Sequence, residues 1–200
     1  MGLSNGTGGR KVFLNIKEGK IALRAKDGSI ETFTHVSGVL TSITIKQGKF
    51  VKELHLGLSD DGEEFLLQMK FDSGYARTFM MAIKNADLRM PMALAPKYEE
   101  ADGKKKSSLF INQDGKGIKW FWTKEKPGDL PPMTSREWKG KTEWDNTAQM
   151  AYLEKMLLED IVPQLPHPAV AGGSTGDGVK PQLVKEPEKL EDMPEDDLPF

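Results

Sequence analysis

The chain has 200 residues with 28 Lys plus Arg against 30 Asp plus Glu, a net charge of −2, and no cysteine, which excludes disulfides, thiolate nucleophiles and cysteine zinc sites. His35, His55 and His167 have no metal-ligand spacing, so neither a metal nor any other cofactor is expected. No apolar run approaches the roughly 20 residues of a spanning helix and the start lacks a signal peptide's charged and apolar regions, so a soluble cytoplasmic protein without a membrane partner is expected.

Residues 1–10, with Gly6, Gly8 and Gly9, form a flexible leader that lacks the Gly-Lys-Ser/Thr order of a phosphate-binding loop. Residues 11–71 then run as short strands between turns that each carry a glycine where a tight hairpin needs positive φ: Gly19, Gly48 and Gly62, with Gly115 further on. Alternation gives each strand one apolar face: Val39, Thr41, Ile43 and Ile45; then Leu54, Leu56 and Leu58; then Phe65, Leu67, Met69 and Phe71. The opposite faces carry Ser42, Thr44, Lys46, Glu53, His55, Gln68 and Lys70, so a sheet buried on one side and polar on the other is expected.

Asp72 and Ser73 offer a cap to a helix over 74–88, whose stripe is Tyr75, Phe79, Ala82, Ile83 and Ala86, before Pro91 forbids continuation. Strands follow at 92–98, 107–112 and 117–122, with Lys104, Lys105 and Lys106 in the loop between the first two. Three strands, a helix and further strands is the element order of an OB-fold barrel, with the strands at 11–16 and 20–26 as elaborations. The fold class expected is therefore mainly β, an OB-fold-like barrel with one helix within the barrel order and one C-terminal helix.

Residues 123–145 hold Pro127, Pro131 and Pro132 among charges and suggest an irregular excursion. Asn146 or Thr147 caps a second helix with Met150, Leu153, Leu157 and Ile161 on one stripe, packed on the barrel or on a second subunit, so a homo-oligomer is one possibility. Pro163 ends it and closes the domain, 11–162. A Gly/Pro-rich linker, 163–190, leads to an acidic tip, 191–200. Residues 161–200 hold eight carboxylates against three lysines, a net of −5, which leaves the rest of the chain at +3. A mildly basic body attached to an acidic tail follows.

Sequence-tolerant capture of a single strand needs cations along the phosphate path and flat rings on which bases stack. Lys119, Trp120, Phe121, Trp122 and Lys124 interleave both kinds. Alternation puts Trp120 and Trp122 on one side and Lys119 and Phe121 on the other, so one set belongs to the core; with the tryptophans inside, Phe121 is the platform. Phe110 is a third candidate ring. Lys46, Lys49, Lys52, Lys70 and Arg77 are candidate phosphate contacts, and Lys104, Lys105 and Lys106 a loop to close over bound DNA.

The tip, Glu195, Asp196, Asp197, Leu198, Pro199 and Phe200, places an aromatic ring and carboxylate after an acidic run, a peptide suited to an apolar pocket with a basic rim. It resembles the C-terminal tip of bacterial and phage single-stranded DNA-binding proteins over about eight residues. The N-terminal part shows no stretch of the ordinary bacterial protein, so a phage or mobile-element version fits better. The resemblance implies a non-enzymatic protein that coats single-stranded DNA without strong sequence preference and recruits replication, recombination and repair proteins through the tip. The alternative is a β-barrel or sandwich adaptor that binds protein instead of DNA. Adjacent acidic residues such as Asp60 with Asp61 face opposite ways on a strand and form no paired catalytic site.

Overall fold

The computed structural model describes residues 11–48, 50–101, 104–138 and 141–166. Its strands are β1 (Lys11–Lys17), β2 (Lys20–Arg24), β3 (Ile30–Phe33), β4 (Val36–Gln47), β5 (Lys52–Asp60) and β6 (Glu63–Lys70), then helix α1 (Gly74–Ala82) with a 3₁₀ turn at Ile83–Asn85. There follow β7 (Met92–Ala101), β8 (Lys104–Gln113), β9 (Lys116–Gly117), β10 (Thr134–Trp138), β11 (Lys141–Asp145) and helix α2 (Thr147–Met156), which runs on through a wider turn at Leu157–Ile161.

Hairpin chemistry sets the order. Glu18 and Gly19 (φ 49° and 74°), Asp61 and Gly62 (43° and 82°), and Asp114 and Gly115 (51° and 72°) each place two consecutive residues at positive φ, the requirement of the two-residue turn that matches strand twist. Gly48 does not follow the expectation: its φ is not positive, and the β4–β5 turn closes instead through Gly48 N–H donating to the Val51 carbonyl at 2.9 Å. Nine strands form one sheet in the order β3-β2-β1-β6-β5-β4-β7-β8-β9, with β1 and β6 parallel and every other pair antiparallel. Within it β7-β4-β5-β6 is a Greek key, three hairpin-linked strands and a fourth that returns beside the first after a long connection.

The sheet curls strongly into a half-barrel. The turn between β1 and β2 reaches both α1 and β7, the latter five places from β2 in the sheet: Gly19 N–H donates to Tyr75 Oη of α1 at 3.1 Å, and a Cβ on Gly19 would lie 2.7 Å from the backbone nitrogen of Tyr98 on β7. Inside the curl the aliphatic faces of β5 and β6 meet α1, so that Leu54, Leu56, Leu58, Leu67, Phe79, Met80 and Ile83 are fully buried. Ser73 caps α1 by accepting from Ala76 N–H at 3.2 Å. The helix also covers the free edge of β8, where Leu109 N–H donates to Thr78 Oγ1 at 2.8 Å, an answer to the unpaired edge that an open sheet would otherwise present.

Five expectations need correction. In β4 the buried residues are Val36, Gly38, Leu40 and Ile43, because the register slips between Leu40 and Ser42 and a bulge at Thr41 turns the pattern over, so the run Val39, Thr41, Ile43 and Ile45 is not one face. Helix α1 ends at Ala82 instead of continuing to 88, since Gln113 takes both backbone groups of Asp87, accepting from its N–H at 3.0 Å and donating to its carbonyl at 2.8 Å. The strand expected at 117–122 stops at Gly117; the chain then crosses the end of α1, where Phe121 N–H donates to the Met81 carbonyl at 2.8 Å. Finally, Lys104, Lys105 and Lys106 belong to β8 and not to a loop, and the stretch 123–145 contains the β10–β11 hairpin.

Helix α2 packs on the same chain. Leu153, Met156, Leu157 and Ile161 join the core, and Lys52 Nζ meets Glu154 Oε1 at 2.5 Å while lying 4.6 Å from the centre of the Phe71 ring.

Candidate functional site

Strand parity decides which side chains leave the core. On β1, Leu14 points inward, so Lys11, Phe13, Asn15 and Lys17 point to the outer face, and the cross-strand register carries that face over six strands, β3 to β4 in sheet order. One row reads Ile30, Arg24, Phe13, Leu66, Gly57, Ser42. The next reads Thr32, Ala22, Asn15, Gln68, His55, Thr44. In the third, Lys20 pairs with Lys17, Lys70 with Glu53 and Glu53 with Lys46, and the parallel β1–β6 register sets Lys17 level with Lys70. Neighbours within a row stand about 5 Å apart and rows are separated by about 7 Å, so Phe13 lies about 13 Å from the lysine row.

The chemistry of this face is mixed in a specific way. Phe13 is 54% exposed in mid-strand, between buried Leu66 of β6 and exposed Arg24 of β2, with exposed Ile30 of β3 beyond Arg24. Among the described residues, Lys17, Lys20, Lys46 and Lys70 are exposed and none is held in an ion pair within 4 Å. Beyond the row, the β4–β5 turn lifts Phe50 to 84% exposure. Ala22, Gly57 and Leu66 in these rows are buried, and so is His55, 5% exposed with Nε2 2.9 Å from Glu53 Oε2.

The expected contacts divide between this face and others. Lys46 and Lys70 lie on it, and Lys49 falls outside the described residues. Lys52 is turned inward and committed to Glu154. Arg77 is half-buried on α1, where desolvation lowers its pKa. Lys105 and Lys106 are exposed, but as adjacent residues of a strand they face opposite ways; of Lys104 only its strand position is described. Phe110 is half-buried against the core.

Trp120 and Trp122, 7% and 1% exposed, turn inward and have no open ring face for a base, which leaves Phe121 as the outward ring of that segment. Phe121 is 43% exposed beneath Lys84, whose Nζ lies 4.8 Å from its centroid; Lys84 also pairs with Asp160 at 3.7 Å. Lys119 and Lys124 are exposed nearby. Phe121 thus belongs to a second patch at the end of α1, away from the outer sheet face. The tip, Glu195, Asp196, Asp197, Leu198, Pro199 and Phe200, lies outside the described residues.

The segment after Trp122 is pinned by one carboxylate. Asp129 accepts from Trp122 Nε1 at 3.0 Å through one oxygen and from the Tyr152 hydroxyl through the other. The Tyr152 bond, then the Trp122 bond, holds the Asp129 carboxyl below its ordinary range, while the same Asp129 bond pushes the Tyr152 phenol up to about 12 from 10.0. A raised phenol pKa stabilises the fold below pH 10 and loses that contribution as pH rises from 10 towards 12. Tryptophan fluorescence is therefore expected to change across that window in the native protein and not in Tyr152→Phe.

Phe13, Arg24, Lys17, Lys20 and Phe50 were not singled out by sequence reasoning. The signal for the first group is the i, i+2 run Lys11, Phe13, Asn15, Lys17, an outward stripe once Leu14 is assigned to the core. Among the described residues no cluster of His, Asp and Glu is arranged to hold a metal ion, and no helix is long and apolar enough to cross a membrane. No protein-family model, curated protein or solved structure matches the chain.

Proposed function

We propose that the protein binds single-stranded DNA on the outer face of β1, β2, β4, β5 and β6, without strong sequence preference, and that its acidic segment 191–200 recruits replication, recombination or repair proteins. The observation that carries this reading is the lysine row free of ion pairs on the same face as the outward Phe13, about 13 Å away: cations for phosphates and a ring for a base on one surface. The central Greek key, with α1 between its third and fourth strands, supports assignment to the OB class, in which the face of the second and third barrel strands, here β5 and β6, binds oligonucleotides. The acidic segment complements a basic rim on a partner, with Phe200 as the apolar anchor.

Fluorescence anisotropy with oligo(dT) and with duplex of equal length tests the reading. Binding is expected to favour the unpaired strand, with a slope of log affinity against log salt of about −3 for four neutralised phosphates. Phe13→Ala should cost about 1 to 3 kcal/mol of binding, the worth of one base stacked on an aromatic ring. Equal binding of unpaired and duplex DNA, or none, would overturn the proposal and favour the exposed Phe13 and Ile30, on either side of Arg24, as part of a protein-docking surface.

A further inference from the structure

We propose that Glu53 is an affinity-setting carboxylate inside the lysine row and that His55 is the positioning residue that holds it there. This rests on the reading that the outer face binds a polyanionic strand. Glu53 stands between Lys70 on β6 and Lys46 on β4 in cross-strand register, at about 5 Å from each, the closest neighbours a sheet provides. Neither lysine closes on it to within 4 Å. The carboxylate turns instead along its own strand to His55 Nε2, at 2.9 Å.

That choice of partner separates the charges. A neutral imidazole donating to a carboxylate carries its proton on Nε2 and leaves Nδ1 as an acceptor. His55 Nδ1 is buried and has no hydrogen-bond partner, and the ring sits in the middle of the sheet, so the anchor of Glu53 is rigid while the lysine arms remain extensible. Phosphates drawn to Lys46 and Lys70 therefore meet a fixed negative charge between them. The carboxylate weakens capture and speeds release, as a protein that must come off the strand requires.

The groups facing His55 are Thr44 and Lys46 from β4, Gln68 and Lys70 from β6, Asn15 of β1 one strand further along the row, and Glu53 on its own strand, so Glu53 is the carboxylate among them.

The test measures dissociation constants and release rates on oligo(dT) in low salt at pH 8, for the full chain, for Glu53→Gln and His55→Gln, and for the double variant. At pH 8, Glu53→Gln is expected to bind about five- to tenfold tighter, the effect of one like charge removed near the phosphates at low screening. His55→Gln should alter affinity and release rate in the parent and leave both unchanged when added to Glu53→Gln, a coupling that a merely structural role for His55 would not produce. Glu53 is half-exposed, so its variant stays folded and keeps the test decisive even where His55→Gln is unstable. Parent protein that binds oligo(dT) with Glu53→Gln no tighter would overturn this proposal and leave the DNA-binding reading intact. Parent protein with no preference for unpaired strands would overturn the reading itself.

Discussion

Replacing Lys17, Lys20, Lys46 and Lys70 together by glutamine should reduce affinity for oligo(dT) on the order of a thousandfold at 50 mM salt and flatten the salt dependence almost completely. The size follows from counterion release: each neutralised phosphate contributes about 0.7 to the slope on a single strand, so four account for nearly three powers of the salt concentration. The fold should tolerate the change, because the four side chains are exposed and make no ion pair, and substitutions at such positions usually stay within about 0.5 kcal/mol. Lys52→Gln is the informative contrast: it removes the partner of Glu154 on α2 and so should lower stability more than binding. A quadruple variant that binds as the parent does, alongside loss of binding in Phe121→Ala, would move the interface to the patch at the end of α1.

The largest effect on stability is expected at Gly19. Its φ of 74° is one that a Cβ opposes, at about 1 to 2 kcal/mol, and the added atom would also lie 2.7 Å from Tyr98 N and 2.9 Å from Tyr98 Cβ. Overpacking of that kind typically costs about 1 to 3 kcal/mol. Because the clash is with backbone, it cannot be relieved by rotating a side chain, and moving the β1–β2 turn away would strain the Gly19 to Tyr75 hydrogen bond to α1. Gly19→Ala should therefore destabilise by about 2 to 4 kcal/mol, a fall in Tm of about 4 to 16 °C for a chain of this size, measured by thermal or urea denaturation. A melting temperature equal to the parent's would mean that the curl does not depend on this contact.

Where a single local rule dominates, the fold was legible in the sequence. Leu54, Leu56 and Leu58 alternate without interruption and are buried together, and the Asp-Gly turns at Gly62 and Gly115 sit where two positive φ values are required. Legibility failed where a long-range partner overrides the local pattern. The bulge at Thr41 turns the face of β4 over without a mark in composition, and Gln113, distant in sequence, claims the backbone that would have extended α1. For the site, Lys46 and Lys70 were visible because they lie opposite clear aliphatic faces. Phe13 was not, since one phenylalanine between hydrophobic neighbours carries no sign of which side it takes until β1 is paired with β6. The crossing of α1 by the segment after Gly117, which buries both tryptophans, depends on Met81 and is likewise invisible along the chain.

The parallel contact of β1 with β6 joins Val12 to Phe65 across more than fifty residues, while β4, β5 and β6 are linked by short hairpins. Closing so large a loop must follow the cheap local ones, since the entropy of closure is spent before any distant contact returns it. During synthesis the β1–β2 ribbon, and Phe13 with it, thus emerges long before its neighbour exists. The outer row that holds Phe13 is therefore completed only once β4, β5 and β6 have formed, which ties the birth of that face to completion of the meander.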